Sequence, residues 1–245
     1  MEQLSKQKKK ELKQFTINSK NECIIYLQNI IAVAVKCIEN HKRYIRELES
    51  IVKEYEPGQN IPYQRYSDMQ NKISNVESYL LNLFGDGQSI SISYFKFRKL
   101  LFKLAKNNPD MDIQYHIMSE QEQQVLDHFN LSRNWNNHIP ESLLTSEIEM
   151  IKQGEALGHS KNPIRVNIRN YVTYEYMFDL LEASENFHLR ARMMLQSAKK
   201  DYSLLIGESV RIQKVYLDVP RDIKDMKATK LSAKVQGLPV DEIGL

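Results

Sequence analysis

The amino-acid sequence predicts an all-α fold, and two observations carry that expectation. With only 8 Gly and 7 Pro in 245 residues, the chain has few of the breaks that an all-β protein needs for its turns. Its long segments are rich in Leu, Ile, Lys, Glu, Gln and Met, and their apolar residues recur at spacings of three and four. At 42% hydrophobic residues the chain can bury a real core. No Ser, Gly or Pro linker interrupts its middle, so residues 20–211 are expected to form one helical bundle. A basic N-terminal extension, 1–19, and a basic C-terminal segment with a flexible tail, 212–245, are expected to flank it.

Each helix has its own signal. Ile24, Leu27, Ile31, Ala34, Ile38, Ile45, Leu48 and Val52 fall on one stripe, predicting a single long helix over 20–55 that Pro57-Gly58 ends. A second runs over 63–84, with Met69, Ile73, Val76, Leu80 and Leu83 on one face, and Gly85-Asp86-Gly87 closes it. Ser93 can cap a third over 94–106, whose apolar residues Phe95, Phe97, Leu100, Leu101, Phe102 and Leu104 run almost all round, so that it is expected at the centre. Ser119 followed by Glu122 is a capping-box pattern and opens a short helix through Phe129. Residues 141–157 read as helical again. A last long helix covers 166–211, with Tyr171, Tyr174, Phe178, Leu181, Phe187, Met194, Leu195, Ala198, Tyr202 and Leu205 as its stripe. Roughly 40 residues make a helix about 60 Å long, so part of it is expected to project and pair with another subunit. The count is four to six helices.

Composition narrows the function classes. A net charge of +3 excludes a protein that holds nucleic acid by charge alone, so any RNA contact is expected to be local. The run Lys6, Lys8, Lys9, Lys10 and Lys13 reads as a solvated, frayed helix start. Cys23 and Cys37 lie about 21 Å apart along one helix and cannot bridge, and with no signal-peptide pattern they point to the cytoplasm. Residues 23–38 are the most apolar stretch, but Gln28, Asn29 and Lys36 intrude, which favours a buried helix over a membrane span. No Cys and His spacing suggests a metal site, and glycine-rich phosphate loops and nucleophile elbows are absent, so no cofactor is expected.

The chemistry rests on the run Arg133-Asn134-Trp135-Asn136-Asn137-His138, just before Ile139-Pro140. Arginine keeps its charge and offers a planar fork to phosphate, while histidine exchanges a proton near neutrality. If the run continues a helix, Arg133, Asn137, Asn134 and His138 fall in that order along an arc of roughly 140°. Trp135 lies just past the arc, where it can pack into the core and fix the helix rotation. His138 then sits at a helix break, where neighbouring carbonyls favour its protonated form.

An Arg followed by Asn and, after four to six residues, by His resembles the signature of the HEPN superfamily of small helical proteins. The resemblance covers this motif and, loosely, the helical stretch from about residue 20 to 210. It implies a HEPN-like bundle that commonly dimerises, with the Arg and His of two subunits facing one groove. It further implies metal-independent RNA cleavage by a toxin, phage-defence effector or processing enzyme, giving 2′,3′-cyclic phosphate and 5′-hydroxyl ends. His138 would be general base and acid, Arg133 would hold the charge of the scissile phosphate, Asn134 would orient them, and Asn137 would contact substrate. A regulatory partner such as an antitoxin is compatible with that reading. Many HEPN relatives serve only as binding modules, so a catalytically silent helical binding or assembly protein is the alternative. A third reading makes Arg133 and His138 mere structural hydrogen-bonding groups.

Other polar residues fare worse. His116 and His159 are expected in loops as solvated side chains, and His188 on a solvated face of the last helix. Asp110 and Asp112 follow Asn107-Asn108-Pro109 in an ordinary loop with too few oxygen ligands for calcium.

Overall fold

The computed structural model of the chain describes residues 17–88, 91–137, 145, 148–149 and 168–214, and in the segment that ends at 137 it describes side chains to Asn134. The bundle spans Ile17–Glu208, and the described residues beyond it carry no helix or strand. Its described elements are α1 (Lys20–Val52), β1 (Asn60–Pro62), α2 (Tyr63–Gly85), α3 (Tyr94–Asn107), α4 (Glu120–Asn137), β2 (Tyr171–Thr173) and α5 (Tyr174–Ile206). The protein is therefore an all-α bundle. The helix expected over 141–157 lies outside the described residues apart from Thr145, Ile148 and Glu149.

Helices α1 and α5 are the central pair, 33 residues each and so about 50 Å long. They run antiparallel: Ile45, Leu48 and Val52 of α1 share one apolar cluster with Met177 and Leu181 of α5, while Cys23, Leu27 and Ile30 share another with Ala198 and Leu205. Each buries one stripe along its whole length, from Cys23 to Val52 and from Met177 to Leu205. This corrects the expectation of a projecting last helix, because α1 matches α5 in length and covers it. The start of α5 also moves, from 166 to Tyr174. Residues Tyr171–Thr173 instead pair antiparallel with Asn60–Pro62, Ile61 opposite Val172, and the Thr173 side chain accepts from the Tyr176 N–H at 3.3 Å. At its other end Gly207 adopts φ 77° and donates its N–H to the Ser203 carbonyl at 2.8 Å, ending the helix short of 211.

The Ser93 cap is present, its side chain accepting from the Lys96 N–H at 3.1 Å. Helix α3 is nevertheless one-sided rather than central. Tyr94, Phe97, Leu101 and Leu104 are buried, whereas Phe102 is exposed and covered only locally, edge-on to Tyr115 at 4.7 Å and beneath the Arg98 guanidinium at 4.6 Å.

Two buried histidines lie on the central pair. His41 of α1 separates Ile38 of the first cluster from Ile45 of the second, and His188 of α5 separates Leu181 from Ala191. Their rings face each other at 5.6 Å. His188 is only 9% exposed, so the solvated face expected for it is wrong: the stripe of α5 runs through it because α1 packs there. Helix α1 is long and apolar enough to cross a membrane by length and composition alone, yet residues 23–38 form a buried helix here, as the sequence favours. In this bundle its apolar stripe packs against α2 and α5.

Candidate functional site at the end of α4

The site begins with a glycine. A Cβ on Gly85 would lie 2.5 Å from the carbonyl carbon and oxygen of Phe129 and 2.7 Å from the Asn130 N, so only glycine lets α4 cross the last turn of α2 this closely. The Asn130 amide donates to the Gly85 carbonyl and fixes the crossing. Three residues further along α4, that crossing lowers Arg133 onto Asn82 and Asp86. Its Nε donates to Asn82 Oδ1 at 3.2 Å, its Nη2 to Asp86 Oδ2 at 3.2 Å, and its Nη1 to Asn134 Oδ1 at 3.3 Å. Asp86 in turn accepts the Gln88 N–H through Oδ1 at 2.9 Å, which leaves Oδ2 to the guanidinium.

The electrostatics are those of an enclosed pair. Arg133 is 8% exposed and Asp86 7%, so the cation arrives already balanced by a carboxylate. All three guanidinium nitrogens have partners, which occupy three of the five N–H donors among the described residues. Asn134 is exposed. The helix continues to Asn137, which puts Arg133, Asn134 and Asn137 on its final turns. The side chains of Trp135 and Asn137, and all of His138, lie outside the described residues. Sequence reasoning missed Asn82, Gly85 and Asp86. Their signal, Gly85-Asp86-Gly87, reads locally as nothing more than a helix stop.

A second polar cluster lies at the other end of α4. The capping box forms as expected: Glu122 Oε2 accepts the Ser119 N–H at 2.8 Å, and Ser119 Oγ accepts the Glu122 N–H at 3.2 Å. The same carboxylate accepts from His116 Nε2 at 2.9 Å, Ser197 Oγ at 2.8 Å and Lys200 Nζ at 2.9 Å. Burial opposes its ionisation, but the donors Ser119, Lys200, His116 and Ser197 outweigh it and hold the carboxyl well below the usual range. Behind it Asp201, fully buried, accepts from Tyr94 Oη at 2.7 Å, from Arg98 Nη1 at 2.7 Å and from the His116 N–H at 2.7 Å. His116 is thus fixed through ring and backbone, not solvated as expected. Asp110 lies within a short 3-10 turn, Pro109–Met111, that Asp112 ends, and His159 lies outside the described residues. Among the described residues no group of three or more His, Cys, Asp or Glu side chains is placed to hold a metal ion.

No protein-family model matches this chain, and neither a curated protein nor a solved structure matches it.

Proposed function

We propose that this chain is a metal-independent endoribonuclease of HEPN type, a cytoplasmic toxin or phage-defence effector. The observation that supports it is the placement of Arg133: Asp86 and Asn82 fix it on the final turns of α4, with Asn134 exposed beside it, on a helix that runs to Asn137 and so leads the chain directly to His138. In this reading the RNA 2′-hydroxyl attacks the neighbouring phosphorus as His138 takes its proton. Unused donors of Arg133 hold the charge on the phosphorane, and a protonated imidazole gives a proton to the departing 5′-oxygen. Asn134 orients these groups and Asn137 contacts the substrate. The products carry a 2′,3′-cyclic phosphate and a 5′-hydroxyl. An antitoxin-like protein would be a natural regulator.

The near-complete burial of Arg133 against Asp86 favours a second reading. In it the pair simply anchors α4 on α2, and the bundle is a catalytically silent binding or assembly protein. Cleavage of RNA by purified wild type, His138→Ala and Arg133→Ala, with thermal unfolding of each, separates the two. The nuclease reading expects wild-type cleavage that persists in EDTA, stops on a 2′-deoxy substrate, and falls roughly 10² to 10⁴-fold in His138→Ala with unchanged melting. No cleavage of any RNA by wild type would leave only the anchoring role.

A further inference from the structure

The Glu122 cluster forms one wall of an open groove of about 840 Å³ that is separate from Arg133 and is not used by the proposed reaction. The groove lies between the segment before α4, with the start of that helix, and the C-terminal half of α5. Its size falls in the range of small-molecule sites, and its make-up fits one: an apolar floor with a few convergent polar groups.

The floor and rim follow from the periodicity of α5. Leu189 and Met193, four residues apart, form an apolar stripe, with Met118 across from them. Leu189 is 60% exposed, apolar surface that this chain leaves uncovered among its described residues. The two methionines have flexible, polarizable side chains that adapt to the shape of a guest. Arg192, Gln196 and Lys200 form the adjacent stripe, again at four-residue spacing, and so edge the floor with polar donors.

Charge decides what the groove takes. Its carboxylate, Glu122, is held ionised by four donors and has no need of a further cation. Lys200 gives one N–H to Glu122 and has two more donors on a side chain that is 53% exposed. Arg192 is exposed and makes no hydrogen bond or ion pair among the described residues. The groove therefore presents one uncompensated guanidinium next to apolar surface. We propose that it is a binding site for a small amphipathic anion, whose phosphate or carboxylate head pairs with Arg192 while its apolar body lies on Leu189, Met193 and Met118. Lys200 adds attraction from the far end of the stripe. This site stands independently of the RNA-cleavage reading.

The test uses the full chain with methionine methyl groups labelled for NMR, titrated with octyl phosphate, octanoate and octanol, all below their aggregation limits. The two anions should shift the Met118 and Met193 methyls and leave the buried Met69 and Met177 methyls in place. Each should bind roughly tenfold more tightly than octanol, as expected for one charge-assisted contact. Whichever anion binds tighter identifies the head group. Arg192→Gln should reduce anion affinity most of the way towards the octanol level, and Arg43→Gln, on the surface of α1, should change nothing. Equal affinity for octanol and the anions, anion binding unaffected by Arg192→Gln, or shifts confined to other methionines would overturn the proposal.

Discussion

At the scale of single residues, two enclosed polar side chains dominate. Removing the Arg133 side chain strands the Asp86 carboxylate at 10% side-chain exposure, so Arg133→Ala is expected to cost about 3 kcal/mol, read by urea unfolding. Asn134→Ala, at an exposed position, should cost less than about 1 kcal/mol. Equal effects would mean that the Arg133–Asp86 pair contributes nothing particular. The second case is His188, whose pKa is lowered to about 4 by burial first and then by His41, Arg192 and Lys42. In the unfolded chain its imidazole takes a proton near the ordinary value of 6.5. The unfolded state thus binds more protons between those values, so the stabilisation is complete above about pH 6.5 and is lost as pH falls towards 4, by up to about 3 kcal/mol. Glu77, bonded to His41 Nε2 at 3.2 Å, is an acid of α2 at this cluster, while both Nδ1 atoms are buried with no hydrogen-bond partner among the described residues. Urea unfolding at pH 7.5 and 4.5 should show the fall, and His188→Leu should flatten it. Glu122 works in a lower window: its depressed pKa gives stability that is present above the usual carboxylate value and is lost only as pH falls below it.

At the scale of elements, what was legible in the sequence was what is local. Ser93 caps α3 and the Ser119 and Glu122 box opens α4 because partner atoms three residues apart need no knowledge of the rest of the fold. The stripes of α1 and α2 were legible for a similar reason, since burial on one face repeats along the chain. What escaped reading depends on distant residues. The pairing of β1 with β2 joins Ile61 to Val172 through strands of three residues, too short to show alternation. The one-sidedness of α3 depends on Tyr115 covering Phe102, and the burial of His188 on His41. In the candidate site Arg133 and Asn134 were legible as a motif, but Asp86 and Asn82 were not, because only the crossing at Gly85 brings them there. That crossing is testable. Gly85→Ala places a methyl against the Phe129 backbone, which no side-chain rotation can relieve, so α4 must shift. The expected cost is about 1–3 kcal/mol in thermal or urea unfolding. The Arg133–Asp86 contact should loosen with it, so RNA cleavage, if Arg133 serves it, should fall by more than stability alone explains. A variant as stable as wild type would show that α4 does not depend on this contact.

At the scale of the whole molecule, the length of α5 gives no reason to expect a second subunit, because α1 covers it end to end. The proposed RNA cleavage does give one. Cleavage by the 2′-hydroxyl needs a base for the attacking oxygen and an acid for the leaving one, and the motif supplies a single imidazole, His138. His128, five residues before Arg133, cannot stand in from the same face: it is turned about 140° away around α4 and lies near Ser132, with Arg190 helping to lower its pKa after burial. A second copy of the chain would complete the pair with its own His138. The expected result is a homodimer, sedimenting at twice 28.8 kDa at micromolar concentration, whose RNA-cleaving activity per chain rises with protein concentration and levels off as dimer forms. Dilution below the dissociation constant should abolish cleavage while leaving the helical signal in circular dichroism unchanged, since each bundle buries its own core. A monomer with and without RNA, cleaving with the same activity per chain at every concentration, would show that one His138 suffices and that the site is complete within a single chain.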